Sequence, residues 1–137
     1  MTLNLNKDRR CFVCGIENQY GLQLKVEKDG ERGVKTEFVA LDRYRGWSNY
    51  LHGGIISLIF DELLGWLSFY QGYDAMTARF EIRFRKPVPL DSKLIFTGTL
   101  ENEVKGLLDI KTLALMEDGT LVAEGTGRMM IINRRDK

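Results

Sequence analysis

His52, Gly53 and Gly54 stand directly before an apolar run, and Asp61 and Glu62 interrupt that run nine and ten residues after the histidine. His52 is the sole histidine of the chain. The first four N–H groups of a helix have no intrahelical acceptor, and a glycine pair leaves them unshielded. Together with the positive end of the helix dipole, such donors suit a carbonyl oxygen that gains negative charge during a reaction. A nearby carboxylate is a candidate general base or nucleophile. A plainer reading also fits: HGG is a turn-to-helix junction, His52 is satisfied in the core, and the two acids are ordinary solvent-facing groups.

These residues need a rigid carrier. Ile55, Ile56, Leu58, Ile59, Phe60, Leu63, Leu64, Trp66, Leu67, Phe69 and Tyr70 cover most of a helix circumference. The pattern predicts a helix from about residue 52 to residue 71, buried nearly all round and ended by Gly72. One stripe differs: Gly54, Ser57, Asp61, Gly65 and Ser68 recur at helical spacing. Gly65 costs about 1 kcal/mol relative to alanine inside a helix, and a small stripe lets another element or a substrate come close. Gly53 and Asp61 are eight residues apart, about 12 Å along a helix axis. That is too far for one helix to polarise a carbonyl and attack it as well. Acting together, the two must come from different copies of the chain. Antiparallel helices about a two-fold axis would create two equivalent sites per dimer.

The rest of the chain must cover this helix. With 137 residues, 44% of them apolar, and net charge +1, residues 1–137 read as one domain with no global attraction to nucleic acid. The opening MTLNLNKDRR lacks the apolar region of a signal peptide. The helix has the length of a membrane span but carries two carboxylates near its middle, so it is expected to be the core helix of a soluble, cytoplasmic protein with no membrane partner. Residues 1–21 read as irregular and contain Cys11-Phe12-Val13-Cys14-Gly15. A two-by-two zinc site needs a second ligand pair, and a redox CxxC usually opens a helix. A reduced pair packed in a loop is therefore expected, with no metal and no cofactor.

Alternation predicts strands over residues 22–28, with Leu22, Leu24 and Val26 inward, and over 34–41. Further strands follow over 75–86 (Phe80, Ile82 and Phe84 inward), 94–104 (Leu94, Phe96, Gly98, Leu100 and Val104 on one side), 107–116 and 121–133. Pro87 and Pro89 break or bend the first of these. Glu117-Asp118-Gly119-Thr120 is a hairpin signal, and 134–137 is a charged tail. The order β-β-α-β-β-β-β, with four strands in an antiparallel meander after the helix, makes an α+β domain.

On these residues the chain resembles the hotdog-fold thioesterase superfamily, in the branch of phenylacetyl-CoA thioesterases and related acyl-CoA thioesterases. The matching residues are Gly46-Trp47, Leu51-His52-Gly53-Gly54-Ile55-Ile56 with Asp61-Glu62 behind it, Met76-Thr77-Ala78-Arg79-Phe80, Arg83-Phe84-Arg85-Lys86-Pro87-Val88-Pro89, and the Glu117-Asp118-Gly119 hairpin. The CFVCG opening with Gly21-Leu22 looks like a stretch recurrent in a subset of the family. The resemblance covers nearly the whole chain and specifies fold better than substrate. It implies a hotdog fold, an antiparallel sheet of about five to six strands wrapped around one long central helix. It implies that Asp61 is the catalytic carboxylate, as general base or nucleophile, and that the Gly53 N–H binds the thioester carbonyl with Gly54 as helper. His52 would shape the site, and Thr77 would place the water or the carboxylate. Glu62 stands beside the site as a second acid. The CoA portion would run near the dimer seam, where Arg79, Arg83, Arg85 or Lys86 could meet its phosphates; a solvated or packing face is the alternative for these side chains.

Two departures stand out. The family's asparagine six residues before the histidine is Gly46 here; either Asn49 supplies that contact from a different loop shape or the contact is absent. Strict alternation also points Thr77 away from its own helix. A bulge near Ala78, or a site across the subunit boundary, would bring it back. The expected function is hydrolysis of an acyl- or aroyl-CoA thioester by a homodimer or a dimer of dimers, with Trp47 and Tyr50 near an acyl pocket. Two alternatives keep the fold: a non-catalytic acyl-CoA or lipid binder, which does not need Asp61, and an enoyl-CoA hydratase or dehydratase, which would pair His52 with Asp61 or Glu62.

Overall fold

The computed structural model describes residues 8–135. The first seven residues of the irregular opening and the last two of the charged tail lie outside the described residues. One long helix, α1 (Gly53–Tyr70), lies across a six-stranded sheet. The strands are β1 (Glu27–Lys28), β2 (Gly33–Val39), β3 (Tyr73–Phe84), β4 (Lys93–Val104), β5 (Leu107–Met116) and β6 (Leu121–Arg134). Every pairing is antiparallel, in the order β1-β2-β4-β5-β6-β3.

The helix starts and stops where the sequence reading puts it. His52 is the extended N-cap, Gln71 the C-cap, and Gly72 follows in the left-handed region at φ +93°. Ile56, Ile59, Phe60, Leu63, Leu64 and Leu67 are buried against the sheet. Each such side chain contributes about 1.5–3 kcal/mol on burial. Phe60 meets Phe96 of β4 edge-on, with ring centroids 5.7 Å apart. Room for these side chains comes from missing ones opposite. A Cβ on Gly127 would lie 2.5 Å from Leu64 Cδ1, and one on Gly125 would lie 3.2 Å from the Phe60 ring.

Several expectations are corrected. The single chain buries one side of α1 rather than nearly all of it; Gly54, Asp61 and Gly65 are exposed. Ser68 leaves the small stripe: it is buried, and its hydroxyl donates to Leu64 O at 2.8 Å. The four-strand meander is only β4-β5-β6. β3 pairs with β6 at the far edge, and β2 takes the place beside β4. Prolines cannot donate to a ladder, so the chain leaves the edge after β3. Arg85 and Lys86 N–H donate to Val122 O, and Asp91 N–H donates to Ala40 O as the chain returns. Leu22, Leu24 and Val26 are buried as expected. Their stretch is not a strand, however: Gln23 sits at φ 52°, and Leu22 and Leu24 N–H donate to Phe12 and Val13 O in the cysteine loop. Val104 is exposed because a bulge between Leu100 and Asn102 inverts the alternation. Phe84 is half-exposed and stands beside Gly53 instead of entering the core.

Candidate active site

The helix start is built by a tight loop. His52 N–H donates to Tyr44 O, Leu51 N–H to Val88 O and Gly46 N–H to Tyr50 O. A Cβ on Gly46 would come within 2.9 Å of His52 Cα, so this loop has no room for an asparagine there. Asn49 faces the loop itself: its Oδ1 accepts from Arg45 Nη1 at 2.8 Å, and Arg45 also donates to Asp42 Oδ1 and Ser48 O. Asn49 therefore braces the loop that presents His52.

His52 is exposed, and its Nδ1 accepts the N–H of Gly54 at 2.8 Å. An accepting Nδ1 leaves the proton of a neutral ring on Nε2. The cap consumes the Gly54 donor and leaves the Gly53 N–H with no acceptor among the described residues. That donor borders a cavity of about 290 Å³ lined by Ile56, Phe84, Arg85, Lys86 and Val88. The Phe84 ring would lie 3.3 Å from a Cβ at Gly53, so glycine is what lets the ring close over the helix start. On the other side of His52, Phe12, Tyr20, Tyr44 and Ile55 border a second cavity of about 340 Å³.

Asp61 lies exposed at mid-helix, and Thr77 Oγ1 donates to its Oδ1 at 2.8 Å. Of the two ways to bring Thr77 back to its helix, the bulge near Ala78 is present. Thr77 pairs with Met129 while Arg79 pairs with Arg128, so Ala78 is the extra residue. Thr77 and Phe80, three apart, consequently face the same side. The Asp61 Oδ2 has no partner among the described residues, which leaves one carboxylate oxygen for chemistry.

The remaining candidates separate. Glu62 is half-buried on the flank of α1, where its Oε2 accepts from Trp66 Nε1 at 2.9 Å and its carboxylate faces the cysteine pair. Arg85 reaches Glu124 at 2.9 Å and lines the cavity at Gly53. Arg79 lies with Glu101, Asp109 and Arg128 on the outer sheet surface, about 20 Å along the strand from Arg85. Arg128 donates to Asp109 at 2.7 Å and holds its carboxyl below the usual carboxylate range. Trp47 is exposed on the single chain. One chain thus joins His52, Gly53 and Arg85 at the helix start, and separately Asp61 and Thr77 at mid-helix. Phe84 and Arg45 were missed by the sequence reading. Arg45 carried a signal, since it stands four residues before Asn49 in the same loop.

No family model matches the chain. Acyl-coenzyme A thioesterase THEM4 of Mus musculus is 32% identical over 119 residues, which are 85% of this chain and 50% of that protein. The bovine THEM4 is 29% identical over 118 residues, 85% of this chain and 48% of the relative. The chain spans about half the length of the curated relatives it matches. Among solved structures, smu.793 of Streptococcus mutans, bound to acetyl CoA, superimposes with a TM-score of 0.78 at 20% identity, over 82% of this chain and 91% of that one.

The chain has the hotdog fold.

Two further hotdog structures are variants of a hypothetical thioesterase from Streptococcus pneumoniae. They match with TM-scores of 0.77 and 0.76 at 18% identity, over 81% of this chain and 92% and 91% of theirs. In one an aspartate is replaced by alanine, and in the other a threonine sixteen residues later.

Proposed function

We propose that this hotdog chain is an acyl-CoA thioesterase that works as a homodimer, or as a dimer of dimers, in the cytoplasm. The observation that carries the reading is the exposed Asp61 carboxylate held through one oxygen by Thr77. The interval between Asp61 and Thr77 equals that between the two residues substituted in the streptococcal thioesterase. The unpaired N–H of Gly53 beside a cavity supplies the second half of the chemistry.

The thioester carbonyl oxygen accepts from Gly53 N–H at the positive end of α1. Asp61 of the other subunit activates a water: the water oxygen bonds to the carbonyl carbon and its proton passes to the carboxylate. The tetrahedral oxyanion collapses, the C–S bond breaks, and CoA leaves as thiolate with the free acid as co-product. Attack by the carboxylate itself, followed by hydrolysis of the anhydride, gives the same products. Arg85 and Lys86 on the cavity rim suit the CoA phosphates. The two-subunit arrangement is supported by β3, a twelve-residue edge strand with one side unpaired and Met76 and Phe84 exposed. Long edges of this kind normally find cover. Free Cys11 and Cys14 suit a reducing compartment. A hydratase would need His52 free to act as one of an acid–base pair, but the His52 Nδ1 is taken up by the cap on Gly54 N–H.

The test is thiol release over short, medium, long and aromatic acyl-CoAs, with the oligomer mass from light scattering. Asp61→Asn should leave only a residual rate of thiol release. Unchanged turnover in that variant, or an active monomer, overturns the mechanism; acyl-CoA binding without thiol release by the unaltered chain identifies a binder.

A further inference from the structure

Three ligating groups that thioester chemistry does not use converge beside α1. The sulfurs of Cys11 and Cys14 and a carboxylate oxygen of Glu62 all lie within 4.8 Å of one another. A tetrahedral zinc, with Zn–S about 2.3 Å and Zn–O about 2.0–2.2 Å, separates its ligand atoms by about 3.5–3.8 Å. The cluster needs to close by only about 1 Å. Its parts are held independently of any ion. Gly15 lets the turn tighten: its N–H donates to Cys11 O at 2.9 Å, and a Cβ there would lie 2.4 Å from Cys11 N. The turn is pinned to residues 22–24 by the Phe12 and Val13 carbonyls, and Val13 is buried. Glu62 is oriented by Trp66 Nε1 at 2.9 Å, the kind of outer partner that fixes a ligating carboxylate. The cluster borders a cavity of about 210 Å³, which has room for a water as fourth ligand. Asp74 faces the same cavity but is held by Arg135 at 2.9 Å. Two thiolates, one carboxylate and a dication sum to −1, and the Asp74–Arg135 ion pair in the cavity wall adds no net charge.

We propose that Cys11, Cys14 and Glu62 bind a zinc ion, with water completing the tetrahedron. Two thiolates select a soft or borderline metal over magnesium or calcium. The sequence argument against zinc sought the missing ligands as a second local pair; the third ligand comes instead from a helix 48 residues further on. The ion would staple the N-terminal turn to α1 one residue beyond Asp61. Binding exchanges two S–H bonds for two Zn–S bonds and releases two protons to solvent. Because two protons leave on binding, affinity rises with pH.

The test uses the full chain purified under reducing conditions, with metal analysis, cobalt spectroscopy and thiol titration. Expected are one zinc per chain and, after cobalt exchange, a thiolate-to-cobalt charge-transfer band. Cys14→Ser abolishes the band. Glu62→Gln weakens zinc affinity at least about tenfold, since even outer partners of a ligand are worth about 10- to 100-fold, while Asp74→Asn keeps it. Two freely titrating thiols with no cobalt band overturn the proposal, as does a Cys11–Cys14 disulfide under the same conditions or undiminished affinity in Glu62→Gln. The Glu62→Gln comparison decides the matter even if Cys14→Ser fails to fold. Thioester turnover is not a readout, so this proposal and the catalytic one fail separately.

Discussion

Thr77→Val removes the hydroxyl that anchors Asp61 and keeps the β-branched shape that suits a strand. The bond it deletes is 2.8 Å long and ends on a carboxylate. Hydrogen bonds to charged groups contribute about 1.5–3 kcal/mol. Both residues are exposed on the single chain, so the lower figure applies to a wet seam and the upper one to a seam covered by a second subunit. At about 1.36 kcal/mol per tenfold in rate, kcat should fall between about 10-fold and about 150-fold. KM should hold, because Thr77 touches the carboxylate rather than the substrate. Thr77→Ser should recover most of the loss. The decisive assay is a double-mutant cycle on thiol release: in an Asp61→Asn background, Thr77→Val should cost nothing further. A wild-type kcat in Thr77→Val, or equal losses in both backgrounds, would refute the idea that Thr77 acts by positioning Asp61.

Three other outcomes follow from the same structure. Thr112 has a buried hydroxyl with no partner among the described residues; Thr112→Val should raise stability by about 1 kcal/mol, read as a higher urea midpoint at unchanged slope. His52→Ala removes the acceptor for Gly54 N–H and should cost about 0.5–2 kcal/mol in urea melts, with most of it restored by His52→Asn. Arg128 keeps the Asp109 carboxyl below its ordinary range, so the pair stabilises the fold above the unfolded carboxylate value of about 3.9 and loses that contribution as pH falls through the lowered folded value. The two side chains are 34% and 46% exposed, so solvent screens most of the gain; Asp109→Asn should flatten the acid limb of a stability–pH curve below about pH 4.

The helix was legible to within a residue at each end, because its apolar positions recur without a break and Gly72 offers a left-handed stop. The separation of Gly53 and Asp61 was legible for a similar reason: the rise of a helix is constant, so sequence distance is spatial distance. Strand order was not. Alternation reports which face a residue takes, not which strand lies alongside, and residues 85–92 carry the chain across to β4, between β2 and β5, through backbone hydrogen bonds that no side chain announces. Val104 and Phe84 were misplaced because a bulge and a strand end each interrupt parity. In the site, Gly46 and Asn49 were ambiguous from sequence; the contact of Gly46 with His52 and the grip of Arg45 on Asn49 decide their roles. The meeting of Glu62 with Cys14 joins residues 48 apart and left no local signature.

An insertion in a β-strand ordinarily transposes every residue on one side of it to the opposite face. Ala78 is an insertion that the edge strand has absorbed: Phe80 opposite Gly127 and Thr77 opposite Met129 keep the faces they would have if Ala78 were deleted. Chain length and the register that brings Thr77 to Asp61 are thereby uncoupled at this point. A chain lacking Ala78 is expected to keep Thr77 facing Asp61, with the bulge replaced by regular pairing.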